Sequence, residues 1–147
     1  MKNILVPVDL SPITPRTVQQ AEMLARALGA KLWLVHVAAP DPDFVGFDAG
    51  PSYVRDRRAE ELKKEHSAIQ ELAAALRTKG VEAEGLLVQG PTSATIIDEV
   101  ARLGADLIVM GSHGHGALYK TFMGSVSQQV LGDSSVPVMI VPARDLA

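Results

Sequence analysis

The chain has 147 residues, of which 47% are hydrophobic and 21% are charged. This length fits one domain with a sizeable core and excludes separate cofactor and substrate domains. A net charge of −3 does not favour a nucleic acid as the partner, and the absence of cysteine excludes disulfides, thiolate metal sites and cysteine nucleophiles. No apolar run approaches the roughly 20 residues of a membrane helix, and no signal-peptide pattern is present, so we expect a cytoplasmic protein without membrane insertion.

Five short apolar runs, rich in β-branched residues, predict the strands of the fold. They cover residues 4–8, 32–37, 86–88, 107–110 and 136–141. Four of them lack polar alternation, which is typical of strands buried on both faces. The third run follows an alternating stretch that begins at Val81, and this alternation predicts a half-exposed edge of the sheet.

Helical spacing of apolar residues fills the four intervals between these runs. In the first interval, Pro15 lies in the opening turn and Gly29 follows the last apolar position, and these are typical start and stop signals. Gly104 and Gly132 give the same stop signal to the third and fourth helices. The many charges of the second helix are typical of a solvated face. The predicted helices cover approximately residues 14–28, 54–79, 92–103 and 125–131.

The alternation of strands and helices predicts an α/β fold: a three-layer sandwich with a five-stranded, parallel, doubly wound sheet. We expect a single domain that spans residues 1–147. One connection, residues 38–53, is longer than usual, and it is interpreted either as a lid or as a mobile segment. In a sheet of this type, ligands bind outside the carboxyl ends of the strands, where the strand order reverses.

The fourth run ends in a loop with little side-chain bulk, because Gly111, Gly114 and Gly116 lie close together. Successive N–H groups in such a loop can turn inward to form an anion nest. Gly124 and Ser125 then open a helix, and a helix N-terminus offers unpaired donors and a partial positive charge. The combined spacing favours a phosphate cradle over the simpler interpretation, in which the glycines only permit a tight turn.

The first run ends in Asp9, whose carboxylate can accept both hydroxyls of a ribose. The alternative is that Asp9 caps the first helix or forms an Asx turn with Ser11. Asp9 alone supports both interpretations equally, and a phosphate loop in the same crevice favours the ribose.

The four histidines give no metal site. His113 and His115 are two residues apart without a nearby carboxylate, so we predict hydrogen bonds to phosphate or to solvent. His36 lies within an apolar strand and is predicted to be a core histidine. The P-loop, the Rossmann fingerprint and the Gly-x-Ser-x-Gly elbow of serine hydrolases are all missing or misplaced, so no catalytic residue is assigned.

Taken together, these motifs resemble the universal stress protein family of the UspA type. The resemblance covers nearly the whole chain and rests on residues 4–9, 34–37, 105–114, 124–126 and 136–141. The spacing Gly-x2-Gly-x9-Gly-Ser/Thr marks the ATP-binding branch of that family, and Gly111, Gly114, Gly124 and Ser125 meet it.

The resemblance implies an adenine nucleotide alpha hydrolase-like fold with strand order 3-2-1-4-5 and a nucleotide between the first and fourth strands. The implied ligand is ATP, with AMP or ADP as substitutes, and Mg²⁺ or Mn²⁺ would accompany a triphosphate. The ribose would bind at Asp9, and the backbone of Pro7, Val8 and Val37 would border the adenine. His115 stands where many relatives carry arginine, which predicts a weaker or pH-dependent triphosphate site. The implied phosphate ligands are Met110, Gly111, Gly114, His115, Gly124, Ser125 and Val126.

The resemblance also implies a homodimer joined through the last strand, which begins at Val136 and ends at Val141. Pairing there would remove an exposed apolar edge, and Pro137 suits an edge position. The predicted function is a nucleotide-binding regulatory or stress-response module whose protein partner is unidentified. Two alternatives remain: a slow ATPase or autophosphorylating enzyme, and a nucleotide-free dimeric interaction module.

Overall fold

The computed structural model describes residues 1–38, 52–112 and 124–143, in which strands and helices alternate. The strands are β1 (Asn3–Pro7), β2 (Lys31–Ala38), β3 (Ala83–Gln89), β4 (Leu107–Gly111) and β5 (Val138–Val141). The helices are α1 (Thr14–Leu28), α2 (Ser52–Thr78), α3 (Thr92–Leu103) and α4 (Ser125–Asp133). The predicted α/β class is therefore confirmed. None of the helices in the described ranges is both long enough and apolar enough to cross a membrane.

All strand pairs are parallel, and the sheet has the order β3-β2-β1-β4-β5, as predicted. The first strand lies at the centre: it pairs with β2 on one side, where Ile4 aligns with Leu32, and with β4 on the other, where Ile4 aligns with Leu107. The strand order therefore reverses between β1 and β4. This is the point at which doubly wound sheets bind their ligands.

Two apolar clusters lie on opposite faces of the sheet, because successive side chains of a strand point to opposite faces. Ile4 and Val6 of β1 contribute to the cluster beneath α1 and α2, and Leu5 contributes to the cluster beneath α3 and α4. Both faces are thus covered, which explains why the β1 sequence is apolar without interruption. The helix residues buried in these clusters include Ala21, Ala25, Ile69, Ala73, Ile96, Val100 and Val130.

The edges of the sheet differ from its centre. The β3 strand forms one edge, as the alternating pattern predicts, and Glu84 on it is exposed. The β5 strand forms the other edge, and three of its four residues are only half-buried. This strand begins at Val138, two residues later than predicted, although the Pro137 carbonyl still accepts a hydrogen bond from the Ile108 N–H at 3.0 Å.

The ends of the helices mostly follow their glycine signals. The first and third helices end just before Gly29 and Gly104, which cap them in the left-handed conformation. The prediction that α4 ends before Gly132 is wrong, because the helix continues to Asp133. The second helix begins at Ser52, slightly earlier than predicted.

A close contact between α2 and β3 depends on Gly85. A Cβ atom added at this residue would lie 2.7 Å from the carbonyl oxygen of Ile69, which is a steric overlap with the helix backbone. The side-chain Nε2 of Gln70 donates a hydrogen bond to the Gly85 carbonyl oxygen at 2.8 Å. The helix therefore packs directly on the strand backbone.

Candidate functional site

A cavity of about 340 Å³ lies at the carboxyl ends of β1, β2 and β4, at the point where the strand order reverses. The cavity brings together nine of the eleven residues that the sequence interpretation assigns to a nucleotide site. The other two, Gly114 and His115, lie outside the described residues, as does His113. The nine are Pro7, Val8, Asp9, Val37, Met110, Gly111, Gly124, Ser125 and Val126.

The sequence interpretation missed several residues that also line the cavity. Most of them lie in the first turns of α1, α3 and α4, or just before α1. The signal that could have found them is topological, since the helix that follows a strand begins near that strand's carboxyl end. The missed lining residues are Ile13, Thr14, Thr17, Val35, Thr92, Ile96 and Ser127.

The turn from β1 to α1 forms one wall of the cavity. Its backbone is anchored to β2 by the Val8 N–H, which donates a hydrogen bond to the Val35 carbonyl oxygen at 2.9 Å. The Ser11 N–H donates to Asp9 Oδ1 at 3.0 Å, so the Asx turn, which was the alternative to ribose binding, is present. Because Asp9 also lines the cavity, the turn and a role in ligand binding are compatible.

Leu10, between these two residues, has a φ angle of 62°, in the left-handed region. A residue with a side chain pays roughly 1–3 kcal/mol for this conformation, which persists only where the surrounding structure imposes it. The Asx turn on one side and the anchored Val8 on the other supply that constraint. The turn is therefore strained and well fixed at the position where the Asp9 side chain meets the cavity.

The opposite wall joins the end of β4 to the start of α4. The Gly124 N–H donates a hydrogen bond to the Ser112 carbonyl oxygen at 2.6 Å. The Ser127 hydroxyl donates to the carbonyl oxygens of Gly111 at 2.8 Å and Ser112 at 3.2 Å. Residues 112 and 124, which flank the segment outside the described ranges, are therefore held together next to the cavity.

These contacts identify the backbone N–H groups of α4 that could bind a ligand. The Gly124 N–H is already engaged, and the first bond within the helix runs from the Gln128 N–H to the Gly124 carbonyl oxygen at 3.1 Å. The amides of Ser125, Val126 and Ser127 precede that bond, so they are the helix N-terminal donors at the cavity. A donor cluster of this kind suits an anion.

Gly111 has a packing role that the sequence interpretation did not recognise. A Cβ atom at this residue would lie 2.9 Å from two side-chain carbons of Ile13 and 3.3 Å from the Thr17 hydroxyl. The missing side chain therefore lets the start of α1 pack against the end of β4. All three residues line the cavity, so this contact forms part of its wall.

The model of the universal stress protein family matches residues 1–142, which is nearly the whole chain. The chain belongs to this family. The family predicted from the sequence motifs is thus confirmed, and the cavity described above is a feature of a universal stress protein.

Individual relatives agree with this assignment. A universal stress protein of Thermus aquaticus, from the QAH/OAS sulfhydrylase 3′ region, is 36% identical over 143 residues, which cover 95% of this chain and 98% of the relative. The solved structure of UspA from Lactobacillus plantarum has a TM-score of 0.83 at 22% identity and covers 95% of this chain and 97% of its own. A universal stress protein from Archaeoglobus fulgidus, solved in complex with dAMP, has a TM-score of 0.61 at 24% identity, with 95% and 97% covered.

The cavity of this universal stress protein has apolar parts and polar parts. Val37, Ile96 and Met110 give it apolar walls, and Asp9 is the one charged side chain among the described residues that line it. Within the described ranges, no cluster of three or more histidine or acidic side chains forms a metal site. The arrangement combines an apolar slot, one carboxylate and a helix N-terminus, so it can hold a ligand that is apolar at one end and anionic at the other.

Proposed function

We propose that this universal stress protein binds an adenine nucleotide, with ATP as the physiological ligand, and acts as a regulatory module in a stress response. The observation that carries the proposal is the cavity of about 340 Å³ at the β1–β4 switch point, which is lined by nine residues of the expected nucleotide set. Its volume is in the ordinary range for small-molecule sites. The complex of the Archaeoglobus fulgidus relative with dAMP supports the choice of an adenine nucleotide.

Each part of the nucleotide has a matching part of the cavity. The apolar surface of Val37 suits the flat face of a base, and the Asp9 carboxylate suits the hydroxyls of a ribose. The first amides of α4, those of Ser125 and Val126, suit the phosphates. The choice of ATP over AMP rests on the glycine spacing that includes Gly114, and Mg²⁺ or Mn²⁺ would accompany the triphosphate.

Binding is favoured over turnover by the make-up of the cavity. Phosphoryl transfer needs charge stabilisation and an oriented nucleophile in addition to a phosphate cradle. Among the described lining residues there is no cationic side chain, and Asp9 Oδ1 already accepts the Ser11 N–H. We therefore propose that hydrolysis, if it is measured, is slow compared with the lifetime of the complex.

The half-buried edge strand β5 supports a further part of the proposal, a homodimer in which two copies join along this strand. Analytical ultracentrifugation tests it: we expect twice the chain mass, and a single chain mass at high protein concentration would contradict the dimer. The single-domain boundary and the cytoplasmic location stay predictions.

The nucleotide proposal is tested first by mass spectrometry of the denatured, purified protein, in which we expect ATP or AMP. Titration calorimetry then compares wild type with Asp9→Asn and with Asp98→Asn, which makes the same change on the exposed side of α3, outside the cavity. Loss of a hydrogen-bonded carboxylate should weaken ATP binding by roughly 10-fold or more in Asp9→Asn, and Asp98→Asn should bind as wild type does.

Two results would contradict the proposal. If wild type neither retains nor binds an adenine nucleotide, the nucleotide-free interaction module is the better account. If it releases ADP over many turnovers and Asp9→Asn abolishes that release, the protein is an ATPase and not a binding module.

A further inference from the structure

The buried histidine on β2 contacts the backbone of the cavity wall. His36 is only 8% exposed, and its Nδ1 lies 2.9 Å from the carbonyl oxygen of Val8, which lines the cavity. A carbonyl oxygen can only accept a hydrogen bond, so Nδ1 must carry the proton and donate it. The contact therefore fixes the tautomer of the ring as well as its position.

The bonded carbonyl belongs to the peptide unit that joins Val8 to Asp9. That unit is planar, so the direction of the Val8 carbonyl sets the direction of the Asp9 N–H and the point from which the Asp9 side chain begins. The next residue, Leu10, has the strained φ of 62°. Because a strained turn keeps its shape only while its neighbours hold it, the His36 bond is one of the constraints that keep Asp9 at the cavity.

The other edge of the ring faces α2. His36 Nε2 lies 3.6 Å from Glu65 Oε2, and within the described residues neither buried atom has a hydrogen-bond partner. The carboxylate on α2 and the carbonyl of Val8 thus lie at the two ring nitrogens of His36. With the proton on Nδ1, the Nε2 atom has no hydrogen to donate to Glu65, so Glu65 limits the rotation of the ring by packing and the Val8 carbonyl limits it by a hydrogen bond.

We propose that His36 is a positioning residue of the nucleotide site: it holds the Val8–Asp9 peptide through Nδ1, and Glu65 of α2 packs against the other edge of the ring. The inference rests on the proposed function, since it assigns Asp9 a place in nucleotide binding. It differs from the sequence interpretation, in which His36 is only a core histidine. A core role predicts that any polar side chain of similar size restores function, whereas a positioning role requires a donor at the Nδ1 position.

Two amide substitutions separate these roles. In His36→Asn the side-chain NH₂ takes the place of Nδ1 and can still donate to the Val8 carbonyl, whereas in His36→Gln it takes the place of Nε2 and reaches towards Glu65. We expect ATP affinity in His36→Asn to stay within about threefold of wild type, and in His36→Gln to fall by about 10-fold, the effect of one lost buried hydrogen bond. Equal affinity in wild type and His36→Gln would overturn the inference.

A second measurement needs no nucleotide, so failure of the proposed function and failure of this inference remain distinguishable. In the ligand-free protein, the ¹⁵N NMR signal of the Asp9 amide should move in His36→Gln and return in His36→Asn, and the His36 ring should show a protonated Nδ1. If wild type binds no ATP, the proposed function fails, and these signals alone decide the inference. An unprotonated Nδ1, or an Asp9 signal that does not move in His36→Gln, would overturn it.

If His36→Gln does not fold, Glu65→Ala takes its place. It removes the side chain that packs against the Nε2 edge of the ring and leaves the Nδ1 donor intact, so we expect the ring to gain freedom and the Asp9 amide signal to move from its wild-type position. An unchanged signal in Glu65→Ala would remove Glu65 from the arrangement and overturn the inference as stated.

Discussion

The hydroxyl of Ser127 donates a hydrogen bond to the carbonyl oxygen of Gly111 at 2.8 Å. These two residues are 16 positions apart, yet this bond holds the end of β4 against the first turn of α4 at the wall of the cavity. A second contact of the same hydroxyl, to the Ser112 carbonyl oxygen at 3.2 Å, strengthens the connection. The α4 amides therefore keep their place at the cavity through a side chain that need not touch the ligand.

Replacing this serine tests the connection. Ser127→Ala leaves the Gly111 and Ser112 carbonyls without that donor, and we expect the free energy of unfolding to fall by about 1–2 kcal/mol and ATP affinity to fall several-fold. Urea denaturation and calorimetry measure the two effects. Ser67→Ala, on the exposed side of α2, is the matched control and should change neither. Wild-type stability in Ser127→Ala would show that the connection contributes little.

A pair of glycine substitutions tests the contact between α1 and β4. In Gly111→Ala the new methyl group would overlap Ile13, so we expect a loss of about 1–3 kcal/mol in the free energy of unfolding. Gly132→Ala is the control, because no atom lies within 4 Å of a Cβ there and alanine is the better helix former, with a gain of up to about 1 kcal/mol. Opposite shifts in the denaturation midpoint are expected, and shifts of the same sign would contradict the packing role of Gly111.

The carboxylate of Asp106 gives a prediction about pH. Asp106 Oδ2 accepts hydrogen bonds from the backbone N–H groups of Lys2 at 2.8 Å and Asn3 at 3.0 Å, and these bonds lower the pKa of the carboxyl below its ordinary value of 3.8. A group whose pKa is lower in the folded state stabilises the fold above its unfolded pKa, and this stabilisation is lost as the pH falls through the folded value.

Asp106→Asn should therefore lower the melting temperature at neutral pH, and the difference from wild type should shrink below about pH 4. Thermal melts followed by circular dichroism between pH 7 and pH 3 measure the effect. Asp98→Asn serves as the control for a general change of charge. A difference between wild type and Asp106→Asn that persists unchanged at pH 3 would mean that the carboxylate charge is not the cause.

The fold could be predicted in large part because its signals are local. The unbroken apolar runs predicted β1 and β4 as buried strands, and Gly29 and Gly104 predicted the ends of two helices. The errors in the bounds of α4 and β5 arose where one local sequence pattern is compatible with more than one structure. Gly132 can be accommodated within a helix, and the run that begins at Val136 becomes a strand only from Val138, after Pro137.

Only the site residues whose type is unusual at their position in the sequence could be predicted. Asp9 and Gly111 stand out because a carboxylate and a glycine at strand ends are unusual. The contact of Ile13 with Gly111, and that of His36 with Glu65, depend on how helices pack on the sheet, and no spacing in the sequence reveals them. Tertiary packing therefore supplies what the motifs leave out.

The alignment of Ile4 with Leu107 has a consequence for how the protein is made. The two walls of the cavity come from opposite ends of the chain, and contacts so distant in sequence form late because a long loop must first be closed. During synthesis, β1 leaves the ribosome long before β4. Until β4 follows, the nascent chain has only one wall of the cavity, and the edge of β1 that later pairs with β4 has no partner strand. A ligand of this cavity can therefore stabilise only chains that have reached β4, and truncated products gain nothing from it.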